Sequence, residues 1–285
     1  MNTFKQQCIE LRKQDYTLPE IAKKTGRPRT SVYHHIQSIP LSKSKQKEIQ
    51  AAQAAKVRRY ALERKGKSVR LFRKIERWDS NLVFLVSHFL FDGDIQHGSC
   101  SYNNRSSVLV ARVENAMKTI YDFEPKRYSN QLTGVQRISY YNVALRAHIE
   151  KMSLELIEKI TSLPKEPKRT FIQSFFDDEG CADFRPQNNK RRVRGYQKNG
   201  GILKIIQKLL YDFGIGSFIQ LPNEIVIAHK ENLIKFRDEI NFSPGVRINA
   251  KRSNSIWKQS LEKREILRRA IASYKPVGSN GVHRG

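Results

Sequence analysis

The chain has 285 residues, and its 53 Lys and Arg against 27 Asp and Glu give a formal net charge of +26. Hydrophobic residues make up 39% and aromatic residues 9% of the chain, which excludes a disordered polyelectrolyte and predicts two or three folded units. A cationic excess of this size favours a polyanionic partner, since Lys and Arg that neutralise phosphates release condensed counterions. A solubility surface and an anionic membrane patch are the alternatives.

The sequence indicates neither membrane insertion nor export. No apolar run approaches the roughly 18–20 residues that a membrane helix requires, and the N-terminus lacks the apolar stretch of a secretion signal. Cys8, Cys100 and Cys181 are odd in number and far apart, so they predict neither a disulfide framework nor a CxxC zinc pair. We expect an intracellular protein, cytoplasmic or nucleoid-associated, with an organellar location left open.

Residues 1–42 predict a small all-α domain. Leu18–Gly26 and Arg29–Ile36 are expected to form two short helices. Ala22, Gly26 and Val32 supply a small residue at a helix contact, a glycine at the turn and an apolar anchor in the second helix. The segment resembles the helix-turn-helix domains of resolvases and many regulators, although an ordinary helical hairpin would show the same pattern.

The helix-turn-helix resemblance implies that the turn and the second helix face the major groove of DNA or its phosphates. The residues implicated are Arg27, Arg29, Thr30, Ser31, Tyr33 and His34.

Residues 43–78 predict a basic helical linker. Thirteen Lys and Arg stand against three Glu between Lys43 and Arg77, and Gly66 is the only glycine there. Such a helix is expected to follow the phosphate backbone without reading sequence, and a solvated helix without contacts is the alternative.

From residue 79 the chain carries an internal repeat. Apolar residues at helical spacing lead into Asp92 and Gly93, and a second such run leads into Glu179 and Gly180. The two glycines are 87 residues apart, and each acid-glycine pair precedes a strand pair, a helix, a second strand pair and a further helix. A repeat of this length predicts a duplicated α+β domain of αββαββα order with pseudo-twofold symmetry. The predicted helices after the first strand pair are 108–123 and 202–213, and the later ones are 142–160 and 230–240.

The second motif, IQSFFDDEG at 172–180, and the weaker first motif, LVSHFLFDG at 85–93, resemble those of the monomeric, two-motif LAGLIDADG homing endonucleases. The resemblance covers residues 79–260. It implies two repeats, 79–163 and 164–270, whose motif helices cross at their interface. Ser87 and Ser174 would stand where glycine is usual at the close contact. The C-terminal residues 271–285, which contain Gly and Ser from Val277 onward, are expected to form a flexible tail.

In that family the penultimate acid of each motif holds a divalent metal ion. The resemblance therefore implies Asp92 and Glu179 as catalytic metal ligands, with Mg2+ or another divalent cation such as Mn2+ as cofactor. The chemistry agrees, because such cations need few carboxylates and both activate water and stabilise a leaving oxygen. An acid at a helix C-terminus opposes the helix dipole, so stability alone explains two of them poorly. The competing ligands are Asp94, Asp177 and Asp178.

Further catalytic candidates follow from the same resemblance. Gln197 and its presumed mate Asn103, each after the aromatic residue of a predicted strand, would order water near the metal ions, with a surface position as the alternative. The basic residue that polarises water or phosphate would be Arg247 or Lys251, with Lys168 as a third candidate.

The strands are expected to form a saddle over the DNA major groove, with alternate residues reaching the bases. The first hairpin of the second repeat mixes amide and basic side chains, although a solvated basic loop explains about half of them equally well. These residues are Arg185, Gln187, Asn188, Asn189, Lys190, Arg191, Arg192 and Arg194. The first repeat offers a smaller and less basic set at the equivalent hairpin, namely Gln96, His97 and Ser99.

The sequence thus predicts a Mg2+-dependent, site-specific double-strand DNA endonuclease that works as a monomer. The resemblance further implies a staggered break with short 3′ overhangs at a long target, a role in intron homing, and the host intron RNA as a second partner. The alternatives are a non-cleaving transcription regulator, an RNA maturase on the same fold, and a structural nucleoid protein. No P-loop, H-E-x-x-H motif or nucleophile elbow competes with this interpretation.

Overall fold

A computed structural model describes residues 3–64, 72, 75, 77–96, 98–249 and 257–274. The chain divides into two compact units, Met1–Val69 and Arg70–Gly285. Within the described residues, every helix is too short or too polar to cross a lipid bilayer.

Three short helices form the core of the N-terminal unit, with α2 and α3 where the sequence predicts helices. Gly26 ends α2 at φ 66°, a left-handed conformation that glycine adopts without a steric penalty. α1 was not predicted, because Cys8 is its only fully buried side chain and leaves little apolar periodicity to detect. The helices are α1 (Phe4–Lys13), α2 (Leu18–Thr25) and α3 (Arg29–Ile36), and they enclose Cys8, Ile21, Val32 and Ile36.

Helix α4 (Lys43–Arg64) follows and has no buried side chain between residues 43 and 60. Its start is fixed because the carboxylate of Asp15 accepts the backbone N–H of Ser42 at 2.8 Å. This helix matches the first part of the predicted linker. Arg77 and Trp78 are not helical, so the helix does not run to the end of the linker, and residues 65–71 lie outside those described.

The second unit contains two successive sets of elements in the same order. The first set is α5 (Ser80–Asp92), β1 (Gly93–Gln96), β2 (Ser99–Asn104), α6 (Ser107–Tyr121), β3 (Lys126–Asn130), β4 (Val135–Tyr140) and α7 (Val143–Lys159). The second set is α8 (Lys165–Glu179), β5 (Gly180–Arg185), β6 (Lys190–Tyr196), α9 (Gly200–Asp212), β7 (Phe218–Gln220), β8 (Glu224–Ala228) and α10 (Lys230–Glu239).

Both sets form a four-stranded antiparallel sheet with the same topology, β1-β2-β4-β3 and β5-β6-β8-β7. The structure is therefore a mixed helix and sheet fold with two matching halves, as the 87-residue repeat predicts.

A last helix, α11 (Lys263–Ala272), lies beyond the second set and packs on β5, β6 and α10. The sequence places the flexible tail at 271–285, but α11 continues to Ala272, and Tyr274 still packs against the core. The predicted start of the tail was therefore too early. Residues 275–285 lie outside those described.

The motif helices α5 and α8 pack against each other in the core. Ser87 and Ser174, placed by the repeat at the close contact, are 0% and 1% exposed. Small side chains at such a contact let two helix backbones approach closely. The predicted crossing of the motif helices agrees with this packing.

Gly93 and Gly180 connect each motif helix directly to a strand. A Cβ atom at Gly93 would lie 2.1 Å from the carbonyl oxygen of Phe89, and one at Gly180 would lie 2.5 Å from that of Phe176. Only glycine fits this close backbone approach. The preceding acid is consequently the last residue of its helix in both halves.

Candidate metal-binding active site

Asp92 and Glu179 occupy equivalent places at the ends of α5 and α8, and both are half-buried. Burial raises the pKa of Asp92 to about 7, and the charge of Asp178 adds to the effect. Burial likewise raises the pKa of Glu179 to about 7, with further contributions from the charges of Asp92 and Asp178. The charge of Asp92 is thus felt at Glu179, and a cation bound between acidic groups of this kind would stabilise their charged forms.

Asn104, which was not predicted, contacts the first acid. Its Nδ2 donates to Oδ2 of Asp92 at 2.7 Å, while its Oδ1 accepts the backbone N–H of Ser106 at 2.8 Å. The second bond fixes which end of the amide faces Asp92. Asn103, the predicted residue, lines a groove with Tyr128 on the other face of the sheet. Successive strand side chains alternate between faces, so a register error of one residue exchanges the two.

Asn103 is predicted in place of Asn104 because Tyr102 and Tyr196 look equivalent in the sequence, whereas the pairing of the strands offsets them by one residue. In the two sheets Gly93 pairs with Tyr102 and Gly180 pairs with Gly195. Two residues further on, this register makes Asn104 the counterpart of Gln197. The sequence also contains a signal for this equivalence: Asn104 lies two positions before the helix N-cap Ser106, and Gln197 lies two positions before the helix N-cap Asn199.

Gln197 is half-buried, and its Oε1 accepts the backbone N–H of Asn199 at 3.1 Å. Among the described residues, Glu179 accepts no hydrogen bond from Gln197 or from any other donor. The two acids therefore have different surroundings.

Asp94 and Asp177 are engaged elsewhere, whereas Asp178 lies beside the first acid, with Nδ2 of Asn104 donating to its Oδ1 at 3.1 Å. Asp94 pairs with Arg137 at 3.5 Å on the outer face of the first sheet. Asp177 is buried and accepts the backbone N–H of Ser243 at 2.9 Å, and burial raises its pKa. Asp178 accepts from His88 and Tyr102, both at 2.7 Å.

No cluster of three or more His, Cys, Asp or Glu that could hold a metal ion occurs in the described part of the chain. Asp92 and Glu179 are the carboxylates at the ends of the two motif helices. Their oxygen donors are of the kind that a hard divalent ion takes, and such an ion needs few protein ligands and completes its shell with water and phosphate.

Lys263 is the basic residue that lies beside this centre. It is buried, and its Nζ donates to the carbonyl oxygens of Phe176 at 3.2 Å and Asp177 at 2.6 Å, at the C-terminal end of α8. Its charge lowers the pKa of both Asp92 and Glu179, against the larger effect of burial. Burial lowers the pKa of Lys263 itself.

The predicted basic candidates lie elsewhere. Arg247 donates to the carbonyl of Ser260 at 2.9 Å, and Lys168 binds Asp212 at 2.7 Å. Lys251 lies outside the described residues. Sequence reasoning missed Lys263 because α11 follows the repeat and its charged residues are typical of a surface helix.

The second sheet carries a cluster of arginines on one carboxylate. Asp183 is 6% exposed and lies 2.9 Å from Arg185, 3.0 Å from Arg192 and 3.3 Å from Arg194. These predicted DNA-binding residues share one face of β5 and β6. Arg191 points to the opposite face, where it donates to the hydroxyl of Ser273 at 2.7 Å.

The other predicted DNA contacts are accessible. Gln187 and Asn189 are exposed at the β5–β6 turn, and Lys190 is half-buried. His97 lies outside the described residues. In the N-terminal unit, Ser31 is half-buried and the other predicted contacts are exposed, namely Arg27, Arg29, Thr30, Tyr33 and His34.

No protein-family model matches the chain, and no curated protein matches it. Similar solved structures include mesophilic variants of the homing endonuclease I-DmoI, with 16% identity, coverage of 58% of this chain and 92% of that chain, and a TM-score of 0.45. I-DmoI in complex with DNA and Mn has 16% identity, 56% and 96% coverage, and a TM-score of 0.43. Full-length DUF199/WhiA from Thermatoga maritima has 14% identity, 73% and 65% coverage, and a TM-score of 0.49. At these identities and TM-scores the likenesses carry neither a family nor an activity over to this chain.

Proposed function

We propose that the chain is a divalent-metal-dependent endonuclease that hydrolyses both strands of a specific DNA duplex. The observation that supports it most is the pair Asp92 and Glu179, one from each half, at the ends of two packed helices. Each has a pKa of about 7, because burial and the charge of Asp178 raise both values and the charge of Asp92 further raises that of Glu179. Two half-buried carboxylates with raised pKa values destabilise the folded state when they are charged. Groups with such perturbed pKa values are common at functional sites.

Mg2+ or Mn2+ would be held by these two carboxylates. A cation bound there supplies an activated water and stabilises the oxygen that leaves the phosphodiester. Asn104 orients Asp92, and Lys263 brings positive charge to the end of α8. Asn104 thus holds the first acid in place while the phosphate approaches.

Double-stranded DNA is the proposed partner. The net charge of +26 and the arginines on the outer face of the second sheet provide the electrostatic attraction. We extend the proposal to a helix-turn-helix role for α2 and α3, with their exposed residues adding contacts to DNA or phosphate. We also propose that the enzyme is monomeric and intracellular and that it leaves short 3′ overhangs. Its role would be intron homing, with the intron RNA as a second ligand.

The test is selection of cleaved sites from a random duplex library with the full chain, with and without Mg2+. We expect one enriched site that is cut only when Mg2+ is present. Asp92→Asn and Glu179→Gln should each abolish the double-strand break and leave only slow nicking, while DNA binding persists. Asp238→Asn and Glu158→Gln change the same residue types at exposed positions and should cut normally. Unchanged cutting by both acid variants would refute the proposal.

A second candidate is a non-cleaving DNA-binding regulator or an RNA maturase. The bond from Asn104 to Asp92 and the buried charge of Lys263 favour it, because both partly satisfy the acids without a metal ion. This candidate predicts a duplex or intron RNA that is bound tightly, no Mn2+ binding by calorimetry, and no cut product in the library.

A further inference from the structure

The two sides of the motif-helix interface are chemically different. The register that superimposes Gly93 on Gly180 also places His88 on Phe175 and Phe91 on Asp178. On one side Phe91 packs against Phe175, with ring centroids 5.2 Å apart. On the other side the equivalent positions hold His88 and Asp178, whose Nδ1 and Oδ2 lie 2.7 Å apart.

A third position differs in the same way. Tyr102 and Gly195 have the same register in the two sheets. A Cβ atom at Gly195 would lie 2.4 Å from the ring of Phe175, so the ring fills the space above the glycine. Tyr102 instead reaches across and donates its hydroxyl to Oδ1 of Asp178 at 2.7 Å. One side is an aromatic contact and the other is a buried polar network.

The polar network leads to Asp92. Nδ2 of Asn104 lies 3.1 Å from Oδ1 of Asp178, 3.1 Å from the hydroxyl of Tyr102 and 2.7 Å from Oδ2 of Asp92. The side chains of His88 and Asp178 are inaccessible to solvent. Buried hydrogen bonds of this kind hold each member in one orientation.

We propose that Asp178 is a positioning residue for Asp92 of the other half, and not for its neighbour Glu179. It acts through Tyr102 and Asn104, so each half of the molecule contributes to the geometry of the first acid. Glu179 has no such support among the described residues, since Gln197 binds the N-cap residue Asn199 instead. This inference rests on the proposed function, in which both acids are metal ligands.

The consequence is two unequal half-sites. Asp92 is held in place before a substrate binds, whereas Glu179 has to be ordered by the substrate and cation. Loss of a residue that orients a metal ligand typically lowers affinity or rate by about 10- to 100-fold. We expect a loss of that size confined to the steps that depend on Asp92.

Strand-resolved cleavage tests the assignment on the duplex selected from the library, with each 5′ end labelled. Asp92→Asn and Glu179→Gln define two reference patterns, each a ratio of the two nicking rates. Asp178→Asn and Tyr102→Phe should both reproduce the pattern of Asp92→Asn in weaker form. A pattern like that of Glu179→Gln, or an equal slowing of both strands, would overturn the inference. Tyr102→Phe keeps the ring and decides the question if Asp178→Asn does not fold.

Tyr140→Phe is the matched control. It removes a buried hydroxyl in the same sheet that has no hydrogen-bond partner among the described residues. Both nicking rates should stay as in the unaltered chain.

A second readout needs no activity. The side-chain amide protons of Asn104 should exchange slowly in nuclear magnetic resonance spectra of the free full chain, because both acids accept from them. Asp178→Asn and Tyr102→Phe should accelerate that exchange, and Tyr140→Phe should not. If no duplex is cut, the proposed function fails; if the exchange is unchanged in both variants, the positioning role fails.

Discussion

Replacement of Glu179 by Gln should stabilise the folded chain at alkaline pH in the absence of divalent ions. In the folded state burial and the neighbouring charges raise the pKa of Glu179 from 4.5 to about 7. Glu179 accepts no hydrogen bond among the described residues, so Gln loses no bond there. The same substitution that abolishes the double-strand break is thus expected to strengthen the fold.

The sign follows from proton binding. Between about pH 4.5 and pH 7 the folded state holds a proton on Glu179 that the unfolded state has lost. Stability therefore falls as the pH rises through this window, and above about pH 7 the full cost is present. Gln has no charge to bury, so its advantage is largest at alkaline pH and disappears near about pH 4.5.

The gain in the free energy of unfolding follows from the shift of the Glu179 pKa from 4.5 to about 7. Each pKa unit corresponds to about 1.4 kcal/mol, so the upper limit of the gain is about 3 kcal/mol. The carboxyl is only half-buried, and screening by solvent reduces this to about 1.5–2 kcal/mol. For a unit of this size the midpoint of thermal unfolding should rise by about 3–8 °C.

Thermal and chemical unfolding at about pH 8 and about pH 5 measure the effect, with EDTA present. Mg2+ or Mn2+ should raise the stability of the unaltered chain at pH 8 and have a smaller effect on the variant. Asp238→Asn is the control, because Arg237 lowers the pKa of Asp238 and its removal should not stabilise. A variant no more stable than the unaltered chain at pH 8 would refute the electrostatic reasoning.

The other predictions concern single contacts. Lys263→Met removes a buried donor to two carbonyl oxygens and should destabilise the chain by about 3 kcal/mol in urea unfolding, whereas the exposed Lys208→Met should change it by less than about 0.5 kcal/mol. Asp183→Asn removes the common partner of three arginines, so filter binding should show lower discrimination between the selected duplex and single-base mutants; unchanged discrimination would contradict this role. Arg29→Ala should weaken DNA binding about equally for all sequences and lower the slope of log affinity against log salt by about 1, and an unchanged slope would exclude a phosphate contact.

The elements that the sequence predicts best are those with two independent signals. The motif helices combine apolar residues at helical spacing with an acid-glycine ending, and the glycine has a steric reason that operates in both halves. The helices from 142 to 160 and from 230 to 240 are found as Val143–Lys159 and Lys230–Glu239. The order of helices and strands is predictable because the sequence pattern occurs twice, so that an element assigned in one half can be checked against its counterpart in the other.

What the sequence could not predict depends on register and on distance along the chain. Asn104 was missed because Tyr102 and Tyr196 look equivalent, while sheet pairing offsets them by one residue. Lys263 was missed because nothing in a basic helix after the repeat shows that one of its lysines is buried. The apolar periodicity of α11 predicts a buried face, but not which charged residue lies at its edge.

Asp178 is one of the acids that the sequence offers as a competing metal ligand. It and His88 stand at positions that hold Phe91 and Phe175 in the other motif. In the structure Asp178 and His88 are bonded to each other across the interface and inaccessible to solvent. Without Asp178, Nδ1 of His88 would lose its 2.7 Å contact, and a buried polar group left unsatisfied costs about 1–3 kcal/mol or more. The equivalent place on the other side of the interface is filled by Phe91 and Phe175, so of two equivalent contacts only one carries the polar groups that we propose as a support for Asp92.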